Sequence, residues 1–120
     1  NINLLKIKLP LSAFLSITHR ISGILIFFLV LPLSVFIFSE LTLNQDSFDN
    51  FMSTYHTNLG IKFGCIGLIL IFQYHIFTGI RHILMDFHIL NETLSSSHKS
   101  AVTTLVLFSV NTLLTLWVML

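Results

Sequence analysis

Charge is what this sequence has least of: 9% of its 120 residues are Asp, Glu, Lys or Arg, against 54% apolar. A water-soluble domain needs more surface charge than that, which places the chain in the membrane class before any motif is read. The formal net charge is +1 and no block of Lys or Arg occurs, which argues against nucleic acid as a partner. Cysteine is nearly absent. The single Cys65 lies inside an apolar run, so an internal disulfide or a thiolate metal cluster is excluded and the residue reads as packing. With most of the chain apolar, no stretch remains to build a soluble core, and chemistry in water falls to partner subunits or to the membrane edge. Residue 1 is Asn, so the numbering is expected to start after some trimming of the chain.

What is present is three apolar runs, at about 21–39, 60–84 and 101–120, each near the roughly 20 residues that cross hydrocarbon as a helix. The expected fold is all-α, a single transmembrane domain over residues 1–120 with three spans and an interfacial segment at 1–20. Asn1 to Leu9 alternates apolar residues with Lys6 and Lys8, which suits an anionic membrane surface, before Pro10 breaks it. Ser12 is then the expected cap of the first helix. Pro32 should remove the hydrogen bond to the Phe28 carbonyl and bend the first span toward its outer end. Ser39 to Asn58 carries Glu40, Asp46, Asp49 and His56 but no Lys or Arg, and reads as a solvated loop whose spacing fits no metal-ligand pattern. Gly60, Gly64 and Gly67 leave a shallow groove where another helix can approach. In the third span the preceding serines should cap the helix, Asn111 should find an interhelical partner, and Trp117 should mark the far interface. Asn91-Glu92-Thr93 matches a glycosylation pattern but is discarded, because its loop falls on the inner side of the membrane.

The stretch that lipid should not tolerate is Gln73 to Asp86, which puts His75, Arg81, His82 and Asp86 at the exit of an apolar span. Seven residues separate His75 from His82, so on a helix they share a face about 10.5 Å apart along the axis. A flat cofactor fits that spacing, with His75 on a haem iron and His82, nearer water, meeting the propionates. Interfacial or hydrogen-bonded core histidines fit it equally. Ser16, His19 and Arg20 follow i, i+3 and i+4 and form either a small polar site or an interfacial anchor with a snorkelling arginine. Lys6, Lys8 and Arg20 precede the first span, Arg81 and Lys99 flank the second connection, and only Lys62 lies across the membrane, which puts the N-terminus on the cytoplasmic or matrix side. Both polar clusters then meet at one inner boundary, with His75 about 9 Å of helical rise deeper than Arg81.

Ser16-Ile17-Thr18-His19-Arg20-Ile21-Ser22-Gly23, followed by His75-x-x-x-Gly79-x-Arg81-His82-x-x-x-Asp86, resembles the cytochrome b556 membrane anchors of succinate dehydrogenase, respiratory complex II. The resemblance covers nearly the whole chain, and the two motifs in this order are more specific than either alone. It implies a heteromeric anchor bundle in which this chain and a second small anchor subunit hold the iron-sulfur and flavoprotein subunits on the inner side. It further implies that haem b is shared with the partner anchor and that ubiquinone is the electron acceptor. By position, His75 is the axial haem ligand and Ser16 and Arg20 are the quinone-site residues, while His82 contacts a propionate and His19, Arg81 and Asp86 support. No catalytic residue and no succinate site belong to this chain. Ser16 can donate to a quinone carbonyl, Arg20 can stabilise negative charge on a quinone oxygen or a propionate, and Asp86 can orient His82 or hold Arg20. The sequence before Ser16 lacks the longer Arg-Pro-Leu-Ser-Pro-His-type lead-in of mitochondrial members, which favours a bacterial cytoplasmic membrane over a mitochondrial inner membrane.

Two other functions fit the residues without the resemblance: a haem-free structural anchor or transporter-like subunit, and a self-contained quinone-linked cytochrome b. A single helix cannot place two histidines on opposite faces of one iron, so a second ligand must come from elsewhere. The resemblance implies the smaller anchor; the sequence also permits a two-fold homodimer in which His75 of each copy grips one haem.

Overall fold

The structure, a computed structural model, describes residues 10–90 and 93–120. The surface segment expected at Asn1 to Leu9 and the Asn91-Glu92 part of the glycosylation pattern lie outside the described residues.

Helix α1, Leu11–Leu25, starts directly after Pro10, whose backbone is extended and which offers no side-chain cap. Proline's fixed φ suits a helix entry. Ser12 therefore lies inside the first turn and is not the cap; its carbonyl accepts a hydrogen bond from Ser16 Oγ at 3.1 Å. At Ile26–Val30 the helix widens into a π turn, where the Leu31 N–H donates to the Ile26 carbonyl, and α2 continues over Leu31–Leu43. Pro32 has no N–H for Phe28 and its ring crowds that carbonyl, and the wider turn accommodates both. Together these segments make one helix of 33 residues. That is about 50 Å, longer than the ~30 Å hydrocarbon core.

The stretch from Ser39 to Asn58 is helical and not a loop. Asn44 turns the chain, and its side chain accepts from the Ser47 N–H at 2.8 Å to cap α3, Gln45–Thr57. Phe48, Phe51, Met52 and Tyr55 recur at i, i+3, i+4 and i+7, the period of an apolar helix face. Three of them, Phe51, Met52 and Tyr55, roof an apolar cavity of about 410 Å³ in the wedge between α2 and the next span. Tyr55 Oη donates to the Met119 carbonyl at 2.8 Å, which ties α3 to the end of the last helix.

Helix α4, Leu59–Asp86, is capped by Asn58, whose Oδ1 accepts from the Ile61 N–H at 3.2 Å. A Cβ at Gly60 would lie 3.1 Å from that oxygen, so this glycine makes room for the cap. Nothing approaches Gly64 or Gly67 within 4 Å. The groove expected at these glycines is not filled by any helix of this chain. His88, at φ 56, closes α4 in the left-handed conformation while the Ile89 N–H reaches back to the Leu84 carbonyl at 2.9 Å. Helix α5, Leu94–Met119, is capped by the Thr93 side chain, which accepts from the Ser96 N–H at 3.3 Å. The serines fall inside its first turn.

Among the described residues the fold is all-helical, with three helices long and apolar enough to cross a membrane. α4 packs against both α1 and α5, while α2 leans on α3. Polarity is inverted relative to a soluble bundle: Leu15, Val30, Ile66 and Ala101 are the buried apolar residues, but Ser22, Thr78, Arg81, Ser97 and Thr104 are buried with them. Such helices associate through small and hydrogen-bonding side chains, since lipid is as apolar as leucine. Gln73 Nε2 donates to Thr115 Oγ1 at 2.9 Å between α4 and α5. Asn111, the expected interhelical partner, makes no such side-chain bond among the described residues; Gln73, one helix away, already takes the polar position.

Candidate functional site

Two pentapeptides on antiparallel helices build the site: His19-Arg20-Ile21-Ser22-Gly23 on α1 and His75-Ile76-Phe77-Thr78-Gly79 on α4. In each, histidine, hydroxyl and glycine fall at i, i+3 and i+4 and share one face. The two faces meet reciprocally. His75 Nδ1 is 2.8 Å from Ser22 Oγ, and His19 Nδ1 is 2.8 Å from Thr78 Oγ1. A Cβ at Gly23 would lie 3.3 Å from His75 Cε1, and one at Gly79 would lie 3.2 Å from His19 Cε1. Each glycine thus leaves the space that the opposing ring occupies. The two rings stack at 4.2 Å with 11° between their planes, and His82 lies against His19 at 4.9 Å.

Hydrogen-bond accounting describes one self-consistent pair of tautomers. A hydroxyl has one proton to give. Ser22 Oγ donates its proton to the His19 carbonyl at 2.6 Å, and Thr78 Oγ1 donates to the Tyr74 carbonyl at 2.8 Å. In that arrangement each hydroxyl accepts from the imidazole, His75 and His19 carry their proton on Nδ1, and both Nε2 atoms keep the lone pair with which histidine binds a metal. Tyr74 adds a further tie through a short hydrogen bond to Thr18.

The expected site residues separate into four groups. His19, His75 and His82 come together, and His82 Nε2 is buried with no hydrogen-bond partner among the described residues. His19 stacks on His75 at 4.2 Å and lies 4.9 Å from His82, so its ring sits between the two α4 histidines. Ser16 and Arg20 lie one turn apart on α1, Arg20 exposed. Asp86 is exposed at the end of α4 and forms no ion pair with Arg20 or His82 among the described residues. Arg81 turns away from the histidines to α5, where Nε donates to Ser100 Oγ at 3.1 Å and Nη2 to the Ser97 carbonyl at 3.3 Å. Ser22, Thr78 and Gly23 carry no expected role. The repeated His-x-x-(Ser/Thr)-Gly spacing is the signal that marks all three.

The chain matches, over residues 1–116, the family described as succinate dehydrogenase/fumarate reductase transmembrane subunit. It is 36% identical over 86 residues to the succinate dehydrogenase cytochrome b556 subunit of Coxiella burnetii, covering 72% of this chain and 68% of that protein. With a half-buried histidine stack between two membrane-spanning helices and a family match along nearly its whole length, the chain is a member of the succinate dehydrogenase/fumarate reductase transmembrane subunit family.

Proposed function

We propose that this chain holds haem b and, with partner subunits, forms the site at which electrons derived from succinate reach ubiquinone. The observation that carries the proposal is the reciprocal stack: two imidazoles held at Nδ1 by Ser22 and Thr78, which leaves each Nε2 outside these hydrogen bonds. His75 is the proposed iron ligand and His82, whose Nε2 is buried without a partner, the proposed propionate donor. The donor set therefore fits the group. When bound, haem b supplies a one-electron carrier beside the quinone. Rings stacked face to face do not point at each other, so His19 and His75 cannot ligate one iron from opposite sides. The second axial ligand then comes from another chain, the proposed smaller anchor. A second reading follows from the reciprocal geometry: His19 is held at Nδ1 in the same way as His75, one ring away, and is the alternative ligand.

Ser16 and Arg20 are the proposed quinone contacts on the inner turn of α1, the hydroxyl donating to a quinone oxygen and the guanidinium stabilising negative charge there. Arg20, free of any ion pair among the described residues, is available for that task. The iron-sulfur and flavoprotein subunits dock on this inner side, in a bacterial cytoplasmic membrane with the N-terminus inside.

Reduced-minus-oxidised spectra of the assembled complex test the ligand. His75→Tyr should abolish the bis-histidine haem signature, and His19→Tyr should leave it; the opposite pattern assigns the iron to His19, and an unchanged spectrum in both overturns the haem site. Ser16→Ala and Arg20→Leu should slow quinone reduction while sparing succinate oxidation by a soluble dye. Normal quinone reduction in both assembled variants would exclude these two residues from the site.

A further inference from the structure

Arg81 is the most costly side chain in the bundle. It is 2% exposed, lies in a membrane-spanning helix, and has no carboxylate partner among the described residues. A buried cation in such a place needs compensation, and two neutral oxygens, Ser100 Oγ and the Ser97 carbonyl, supply only part of it. A guanidinium carries five N–H donors, and Nη1 has no hydrogen-bond partner among the described residues.

Arg81 also lines the wall of a cavity of about 440 Å³ between α4 and α5, and the other residues of that wall are graded. Toward the inner end stand Lys99, Ser96 and Ser100, and toward the membrane interior stand Phe77, Ile80 and Leu107. Two of the six Lys and Arg residues of the chain thus converge on one cavity that has hydroxyl donors beside them and an apolar floor beyond. The volume lies within the range of small-ligand sites. The cavity is on the α5 side of α4, whereas the histidine stack is on the α1 side.

We propose that this cavity binds the headgroup of an anionic phospholipid of the inner leaflet, with its phosphodiester on Arg81 and Lys99 and the start of an acyl chain over Phe77 and Ile80. Charge complementarity selects the ligand: a phosphodiester takes the guanidinium's free donors and neutralises it, and no carboxylate, thiol or imidazole lines the cavity to favour a metal. The graded wall selects a lipid over a free anion, because inorganic phosphate has nothing to place on the apolar floor.

The test uses the whole complex that contains this chain, stripped of lipid in detergent and reloaded from phosphatidylcholine vesicles with and without phosphatidylglycerol, with retained lipid measured by native mass spectrometry. Phosphatidylglycerol should be retained in preference to phosphatidylcholine and should resist displacement by inorganic phosphate. Lys99→Glu, at the exposed rim where folding is least at risk, should lower that retention by about ten-fold or more. Arg81→Gln, which keeps donors for Ser97 and Ser100 but removes the charge, should lower it further. Equal retention of the two lipids, a preference untouched by Lys99→Glu, or displacement by inorganic phosphate would each overturn the proposal. So would a photocrosslinker at position 99 that captures a carboxylate-bearing segment of a partner subunit in a lipid-free complex.

Discussion

Both halves of the α1–α4 pair carry glycines, and they use them differently. In the inner half Gly23 and Gly79 each lie under an imidazole of the other helix, within 3.3 Å of where a Cβ would stand. In the outer half Gly64 and Gly67 face nothing within 4 Å, and the first span separates from α4 around an apolar cavity roofed by α3. A small residue in a membrane helix therefore does not by itself mark a helix contact. The opposing residue decides, and here it is a polar ring that must also satisfy its hydrogen bonds.

The largest expected effect breaks the inner half. Gly79→Leu forces the His19 ring out of its stack, and overpacking of this kind costs about 1–3 kcal/mol. The amount of assembled complex in membranes should fall sharply, while Gly64→Leu should leave it unchanged. An equal loss for both would show that a partner helix occupies the outer glycines, and the contrast between the halves would vanish.

Ser22→Ala leaves the stack sterically intact but removes the hydroxyl that pairs with His75 Nδ1. Losing an orienting partner of this kind typically costs about 10–100-fold in affinity, so haem retention during purification should drop while the amount of this chain does not. Full retention would mean that the ring is oriented by packing alone.

In the outer half, Asn44→Ala removes the cap of α3 at a cost of about 1 kcal/mol. Amide hydrogen exchange should quicken in α3 and stay unchanged near His19 and His75; a change in both would show that the halves are mechanically one unit. The smallest effect is expected for Gln73→Leu, which removes the α4–α5 hydrogen bond to Thr115. Such bonds contribute on average about 0.6 kcal/mol in membranes, so the thermal midpoint of the complex should move little.

The spans, their number and the disturbance at Pro32 were legible in the sequence because apolar run length and a missing N–H act locally. The histidines were legible as misfits in lipid. Their gathering into one column, with His19 between His75 and His82, was not, because the point where two antiparallel helices cross depends on long-range packing that spacing along one helix does not encode. Helix α3 was hidden by its acidic residues, although Phe48, Phe51, Met52 and Tyr55 kept a helical period beneath them. Arg81 was grouped with the histidines because it is next to His82 in sequence, yet adjacent residues on a helix point about 100° apart, and that rotation sends it to α5.

The reciprocal pentapeptides are self-complementary, and nothing in their hydrogen bonds requires the two copies to belong to one molecule. Exchange of the first span between two chains would reproduce the same stack, as in a domain swap. The segment from Gly23 to His75 therefore does more than connect two spans. By tethering the motifs it gives each an effective concentration of about millimolar for the other, which favours closure within the chain over pairing between chains. A short, firmly capped α3 keeps that tether compact.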